Sequence, residues 1–163
     1  MKTKHVLTTG LLALVATLTP ARAANTILHS FTGSASDGSQ PYGSLTLSGA
    51  KLYGMTYQGG SSGSGGALFS MNTDGSGFGL LHSFTRTTSD GGGPEGSLKL
   101  SGTKIYGMTS EGGSSNRGTV FSMNTDGTGF GLLHSFTGGA SDGSQPIGSL
   151  TLSGTKLDRR STV

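Results

Sequence analysis

The sequence predicts an all-β protein, a β-propeller-like array of four-stranded antiparallel blades that is incomplete at about two and a half repeats. Three observations carry this. His29, His82 and His134 each open a His-Ser-Phe-Thr tetrad, 53 and then 52 residues apart, and the same offsets relate Asp37, Asp90 and Asp142, and Pro41, Pro94 and Pro146. Within one period the apolar residues fall into four short alternating runs, each bounded by Gly, Ser, Asn or Asp. After residue 23 no stretch has helical periodicity, and each glycine would cost a helix about 1 kcal/mol. Kelch-type repeats are nearest in length. A parallel solenoid is the runner-up, its coils being shorter, at about 20 to 30 residues.

Taken in order, the chain opens with Lys2 and Lys4, an apolar stretch from Val6 to Leu18, and Pro20-Ala21-Arg22-Ala23. That pattern predicts a secretory signal peptide over 1–23, cleaved after Ala23. A retained membrane anchor is the competing reading, but the run is shorter than the ~20 residues a span needs. Ile27–Phe31 reads as the last strand of a copy that lacks its first three. The next four strands are Ser44–Leu47, Lys51–Tyr57, Ala67–Met71 and Gly79–Phe84, with a Ser48-Gly49 turn after the first and Asp74-Gly75 in a hairpin between the last two. Copies therefore span 44–84 and 97–136, with a partial copy at 149–157, inside an array over 24–157. The 52-residue step arises where GGSSGSGGALF (59–69) becomes GGSSNRGTVF (112–121), so the length change falls between elements.

At the far end Leu157 leads into Asp158-Arg159-Arg160-Ser161-Thr162-Val163, where earlier copies continue Tyr-Gly-Met-Thr. Loss of apolar character over 158–163 favours a truncated or frameshifted piece of a longer array, since an open end exposes an unpaired strand edge. A complete small protein whose Arg159 and Arg160 protect that edge is a second reading. Self-association through the open edges is a third.

Removing the leader takes three of the eleven basic residues and none of the eight acidic ones, leaving eight of each sign. The alkaline pI thus belongs to the leader, and nucleic acid or an anionic membrane is not an expected partner. The absence of cysteine leaves packing, assembly or a bound ion to stabilise an exported chain.

The pattern L-H-S-F-T-G…D-G-x-x-P-x-G-S-L-x-L-S-G-x-K-L-Y-G-M-T…F-S-M-N-T-D-G-x-G-F, running from Leu28 to Leu157, resembles the GloVer repeat of secreted bacterial choice-of-anchor proteins, first noted in Gloeobacter and Verrucomicrobia. The resemblance implies an extracellular repeat protein with propeller-like β-structure, and it supplies no catalytic residues. This chain departs from the pattern in having few repeats and no terminal anchoring segment.

Candidate site residues are few. The histidines share a strand face with the phenylalanine two residues on, which points to half-buried side chains satisfied by nearby backbone; convergence of equivalent histidines on a metal is the sharper alternative. Asn72-Thr73-Asp74-Gly75 and its counterpart at Asp126 have faint calcium-loop spacing, but no glutamate follows in the place a calcium loop needs it, and a turn explains them better. The loops holding Asp37, Gln40, Asp90, Asp142 and Gln145 are the speculative ligand loops, with structural loops the plainer reading. Tyr53, Tyr57, Tyr106, Phe69 and Phe121 suit either core or a sugar-stacking platform. No nucleophile elbow, phosphate loop or zinc motif occurs, and neither a cofactor nor a catalytic set is assigned. The reading is a non-enzymatic exported protein, extracellular, surface-bound or periplasmic, that serves structure or binds an extracellular ligand such as carbohydrate or protein. A carbohydrate-acting propeller enzyme is the alternative class, and Glu95 and Glu111, the only two glutamates, are the asymmetry that would mark it.

Overall fold

In a computed structural model that describes residues 25–61, 65–154 and 156–159, the protein is all-β and antiparallel, with no helix among the described residues. The predicted leader over 1–23 and residues 160–163 of the tail lie outside the described residues.

Two copies form four-stranded meanders. In the first, β2 (Thr46–Ser48), β3 (Lys51–Thr56), β5 (Ala67–Asn72) and β6 (Gly79–Ser83) pair in that order. In the second, β8 (Lys99–Ser101), β9 (Lys104–Thr109), β11 (Thr119–Asn124) and β12 (Gly131–Ser135) repeat it. A third pair, β13 (Leu150–Ser153) and β14 (Lys156–Arg159), begins a third copy. The turn from β2 to β3 has two residues, with Gly49 at φ +56° in the first position, the conformation a tight hairpin asks of glycine. Gly102 and Gly154 repeat it at +57° and +58°.

Two details differ from the sequence reading. Ile27–Phe31 is not a strand: no ladder is formed there, although its side chains take the same contacts as their counterparts at 80–84. In the other direction, β14 runs to Arg159, pairing Thr151 with Asp158 and Leu150 with Arg159, because ladder hydrogen bonds come from backbone and tolerate the loss of apolar side chains. Each full copy also carries a two-residue ladder that alternation could not reveal. β1 (Gly38–Ser39) pairs with β4 (Gln58–Gly59), and β7 (Gly91–Gly92) with β10 (Glu111–Gly112).

Side chains from both full copies make one core: Tyr53, Met55, Leu68 and Phe84 pack with Leu98, Ile105, Phe121 and Met123. Phe69 and Phe121 are fully buried, as the core reading of the aromatics expects, whereas Tyr57 and Tyr106 are half-buried. Glycine makes this packing tight. A methyl group on Gly107 would stand 2.5 Å from Cζ of Phe121, and one on Gly54 would stand 2.5 Å from Cζ of Phe69, so the phenyl rings lie directly on the β3 and β9 backbones.

The first strands of consecutive copies meet. A methyl on Gly43 would be 2.2 Å from the Gly96 carbonyl oxygen, and one on Gly96 would strike the Gly148 carbonyl oxygen. The Ser44 N–H donates to Ser97 Oγ at 2.9 Å and the Ser97 N–H to Ser149 Oγ at 3.1 Å. This seam follows the repeat from copy to copy.

Gly107→Ala is expected to destabilise the protein by about 1–3 kcal/mol through overpacking against Phe121. Gly131→Ala, with nothing within 4 Å of the added methyl, should show no such loss. Urea denaturation of the two variants makes the comparison.

Candidate functional site

Each copy places a histidine on its last strand or that strand's equivalent and an aspartate eight residues later in the connecting loop. The Asp90 carboxylate accepts from His82 Nε2 at 3.0 Å, from the backbone N–H of Gly91 at 2.7 Å, and from the N–H and Oγ1 of Thr85 at 3.0 and 2.9 Å. Asp37 does the same with His29, Gly38 and Thr32, and Asp142 with His134 and Thr137. A carboxylate only accepts, so Nε2 carries the histidine proton in this contact. The histidines are thus satisfied by carboxylates, and the expectation of backbone partners is corrected. Asp37 and Asp90 are 6% and 7% exposed, so these two speculative ligand residues face inward.

Burial alone would raise the Asp90 carboxyl, but the hydrogen bonds from His82 and Gly91 outweigh it and hold the pKa below 3.8. Asp37 is lowered in the same way, with burial opposing and His29, Thr32 and Gly38 prevailing. For Asp142 the Thr137 backbone N–H comes first and His134 next.

The lock holds the histidine ring flat against the following copy. His29 stacks on Phe78 with centroids 3.8 Å apart and planes 5° from parallel, and His82 stacks on Phe130 at 3.8 Å and 8°. Phe78 and Phe130 close the hairpin loops of the next copy, and sequence reasoning gave them no role. His134 keeps its aspartate at 2.7 Å, but among the described residues no phenylalanine is stacked on it, and its side chain is 47% exposed against 21% for the other two. Among the described residues no three His, Asp or Glu side chains stand close enough to share a metal ion.

The remaining predicted residues serve as turns. Asp74 Oδ1 accepts from the Ser76 N–H and Oγ, and Asp126 from Thr128, which lowers both carboxyls and makes each hairpin loop self-supporting. Gln40 and Gln145 are exposed at φ +58° and +47°, and their backbones hold Tyr57 and Arg117.

One joint differs from the others. Arg86 Nε lies 2.6 Å from Glu111 Oε2, an ion pair whose N–H is not aligned as a hydrogen bond. Glu111 stands beside the Tyr57 phenol and is the first cause of its raised pKa, followed by burial and Glu95. Tyr57 in turn packs against Tyr42, with centroids 5.6 Å apart. Both glutamates therefore act on the Tyr57 phenol, and Glu111 pairs with the only arginine in a left-handed backbone conformation among the described residues, Arg86 at φ +59°.

A model of the Gloeobacter/Verrucomicrobia repeat matches residues 9–157. The chain belongs to this repeat family. No curated protein matches it. In this Gloeobacter/Verrucomicrobia repeat the matched span covers all three histidine–aspartate locks, so the family pattern and the joint geometry coincide along the chain.

Asp90→Asn should cost about 2 kcal/mol by leaving buried donors poorly matched. Because the native carboxyl is lowered, the unfolded chain binds the proton first. The contribution is therefore complete above the ordinary value of 3.8 and is lost as pH falls from there through the native value. Stability measured by urea between about pH 6 and pH 3 should fall less steeply in Asp90→Asn than in the wild type. The other lowered aspartates keep the remaining slope.

Proposed function

We propose that this repeat protein is exported and acts outside the cytoplasm as a non-enzymatic array, its copies being blades of a β-propeller, with a structural or ligand-binding role. The observation that carries the blade reading is the seam of first strands at Gly43, Gly96 and Gly148, since inner strands of neighbouring blades converge around an axis. Four-stranded antiparallel meanders, repeated in order, support the same arrangement.

Support for a non-enzymatic role comes from how the recurrent acids are employed. A general acid or base must reach a proton on substrate. Asp37 and Asp90 are buried on histidine, threonine and glycine, and Asp74 and Asp126 hold their own turns. Glu95 and Glu111 lie outside these contacts, and the enzymatic alternative rests on them.

Expression of the full gene in a bacterial host should yield a product whose mass corresponds to a chain beginning at Ala24, recovered outside the cytoplasm. Retention of residues 1–23 in the cytoplasm would sink the export reading. Incubated with soluble polysaccharides, the protein should release no reducing ends. Hydrolysis by the wild type that disappears in Glu95→Gln with Glu111→Gln would establish the enzymatic reading instead.

A further inference from the structure

The copies are near-identical, so the places where one departs from the others can be mapped, and several of them meet at one joint. At equivalent positions the first, second and third copies carry Gly33, Arg86 and Gly138; Ser39, Gly92 and Ser144; Gln40, Gly93 and Gln145; and Tyr42, Glu95 and Ile147. Gln58 becomes Glu111 between the first two, and Tyr57 has Ser110 as its counterpart. These substitutions are scattered over more than fifty residues of chain, yet they interlock. A methyl on Gly92 would stand 2.2 Å from Arg86 Cγ, and a methyl on Gly93 would stand 2.9 Å from Tyr57 Cε2. The second copy thus lacks side chains at the two places where the arginine stem and the tyrosine ring lie. Glu111 pairs with Gly92 across the short ladder and reaches Arg86. Tyr42 and Glu95 each precede the glycines of the seam, Gly43 and Gly96, whose backbones touch, and so hold equivalent places in neighbouring copies.

We infer that Tyr42, Tyr57, Arg86, Glu95 and Glu111 form a binding site for an uncharged saccharide. This deepens the binding role proposed above and rests on it. Three features of the cluster select that chemistry. Tyr42 is 60% exposed and offers a ring face, flanked by Tyr57, on which the C–H face of a sugar can lie. Glu95 is half-buried with no hydrogen bond or ion pair among the described residues, leaving a carboxylate to accept from hydroxyl groups. The Arg86 guanidinium, ion-paired with Glu111 at Nε, keeps its other N–H groups as donors. Vicinal hydroxyls need both donors and acceptors beside an apolar ring face. Arg86 and Glu111 offset each other's charge, and the remaining Glu95 carboxylate opposes an anionic ligand.

The backbone supplies an independent sign. Arg86 sits at φ +59°, where the other copies place glycine at +76° and +79°. For a residue with a side chain this conformation is unfavourable, and strain of this kind is retained where side-chain placement matters.

Isothermal titration of the full chain with cellohexaose, xylohexaose, mannohexaose and maltohexaose tests this, with a glucosamine hexamer and an oligogalacturonate as charged comparisons. At least one uncharged hexaose is expected to bind, and Tyr42→Ala or Glu95→Ala to weaken it about tenfold. Leu133→Ala, on the last strand of the second copy, should leave it unchanged. Arg86→Gly, which installs the residue of the neighbouring copies, should keep the wild-type denaturation midpoint while losing the binding. The site is overturned if none of the four hexaoses binds, if only a charged oligomer does, or if the variants bind as the wild type does. Those outcomes leave the exported array standing, whereas cytoplasmic retention of a chain that still binds would remove the export reading and keep the site.

Discussion

A buried carboxylate holding a histidine against its neighbour's phenylalanine is the contact on which the array depends. Placing Asp90 out of water is costly unless its oxygens are fully used, and four donors use them: imidazole, hydroxyl and two backbone N–H groups. The aspartate also fixes the imidazole plane, so that His82 meets Phe130 face to face and Phe84 reaches Phe121 at 5.3 Å. One polar group therefore sets both the path of the connecting loop and the aromatic contacts between copies. The depressed carboxyl pKa follows from the same arrangement.

A chain with 31 glycines and only 31% apolar residues has few large side chains with which to build a core. The glycines are part of the answer. Where Phe69 and Phe121 lie flat on strand backbone, any side chain would hold the ring away and open a gap. Where first strands meet along the seam, a Cβ would separate the copies outright. The low hydrophobicity of the sequence is thus compatible with close packing, because backbone supplies part of the surface that side chains supply elsewhere. Tyr53 extends the same economy across the joint, its hydroxyl donating to the Thr125 carbonyl at 3.4 Å while its ring is 4% exposed.

Much of this was legible in the sequence. Period-two alternation located the strands of both full copies to within two residues, since each has one buried face and turn residues at its ends. It failed at Ile27–Phe31, where the alternation is genuine but no ladder is formed with another strand among the described residues. Two-residue ladders such as β1 with β4 are too short for any periodicity. The partner of the histidine was missed although the signal existed: the offset from histidine to aspartate is eight in every copy, from His29 to Asp37, His82 to Asp90 and His134 to Asp142. An invariant offset across a loop implies a contact that closes it. Phe78 and Phe130 were given no role because their stacking partners lie in the preceding copy, where local pattern has no reach.

The joint around Arg86 was half legible. Glu95 and Glu111 stood out as the only glutamates, but nothing in their spacing says that they share a neighbourhood with Tyr57, or that glycines at 92 and 93 clear space for it. Energetics separates this joint from the rest of the molecule. The Arg86–Glu111 pair has both side chains about a third exposed, and pairs so placed contribute about 0.2–1 kcal/mol. The left-handed backbone of Arg86 costs about 1–2 kcal/mol against the glycine its neighbours carry. The cost is at least as large as the gain, so folding alone does not account for an arginine at that position. The recurrent aspartates Asp37 and Asp90, by contrast, are buried with their oxygens hydrogen-bonded and so contribute to the fold they sit in. Arg86 does not, and it stands beside a half-buried carboxylate and an exposed tyrosine whose purpose the fold also leaves open.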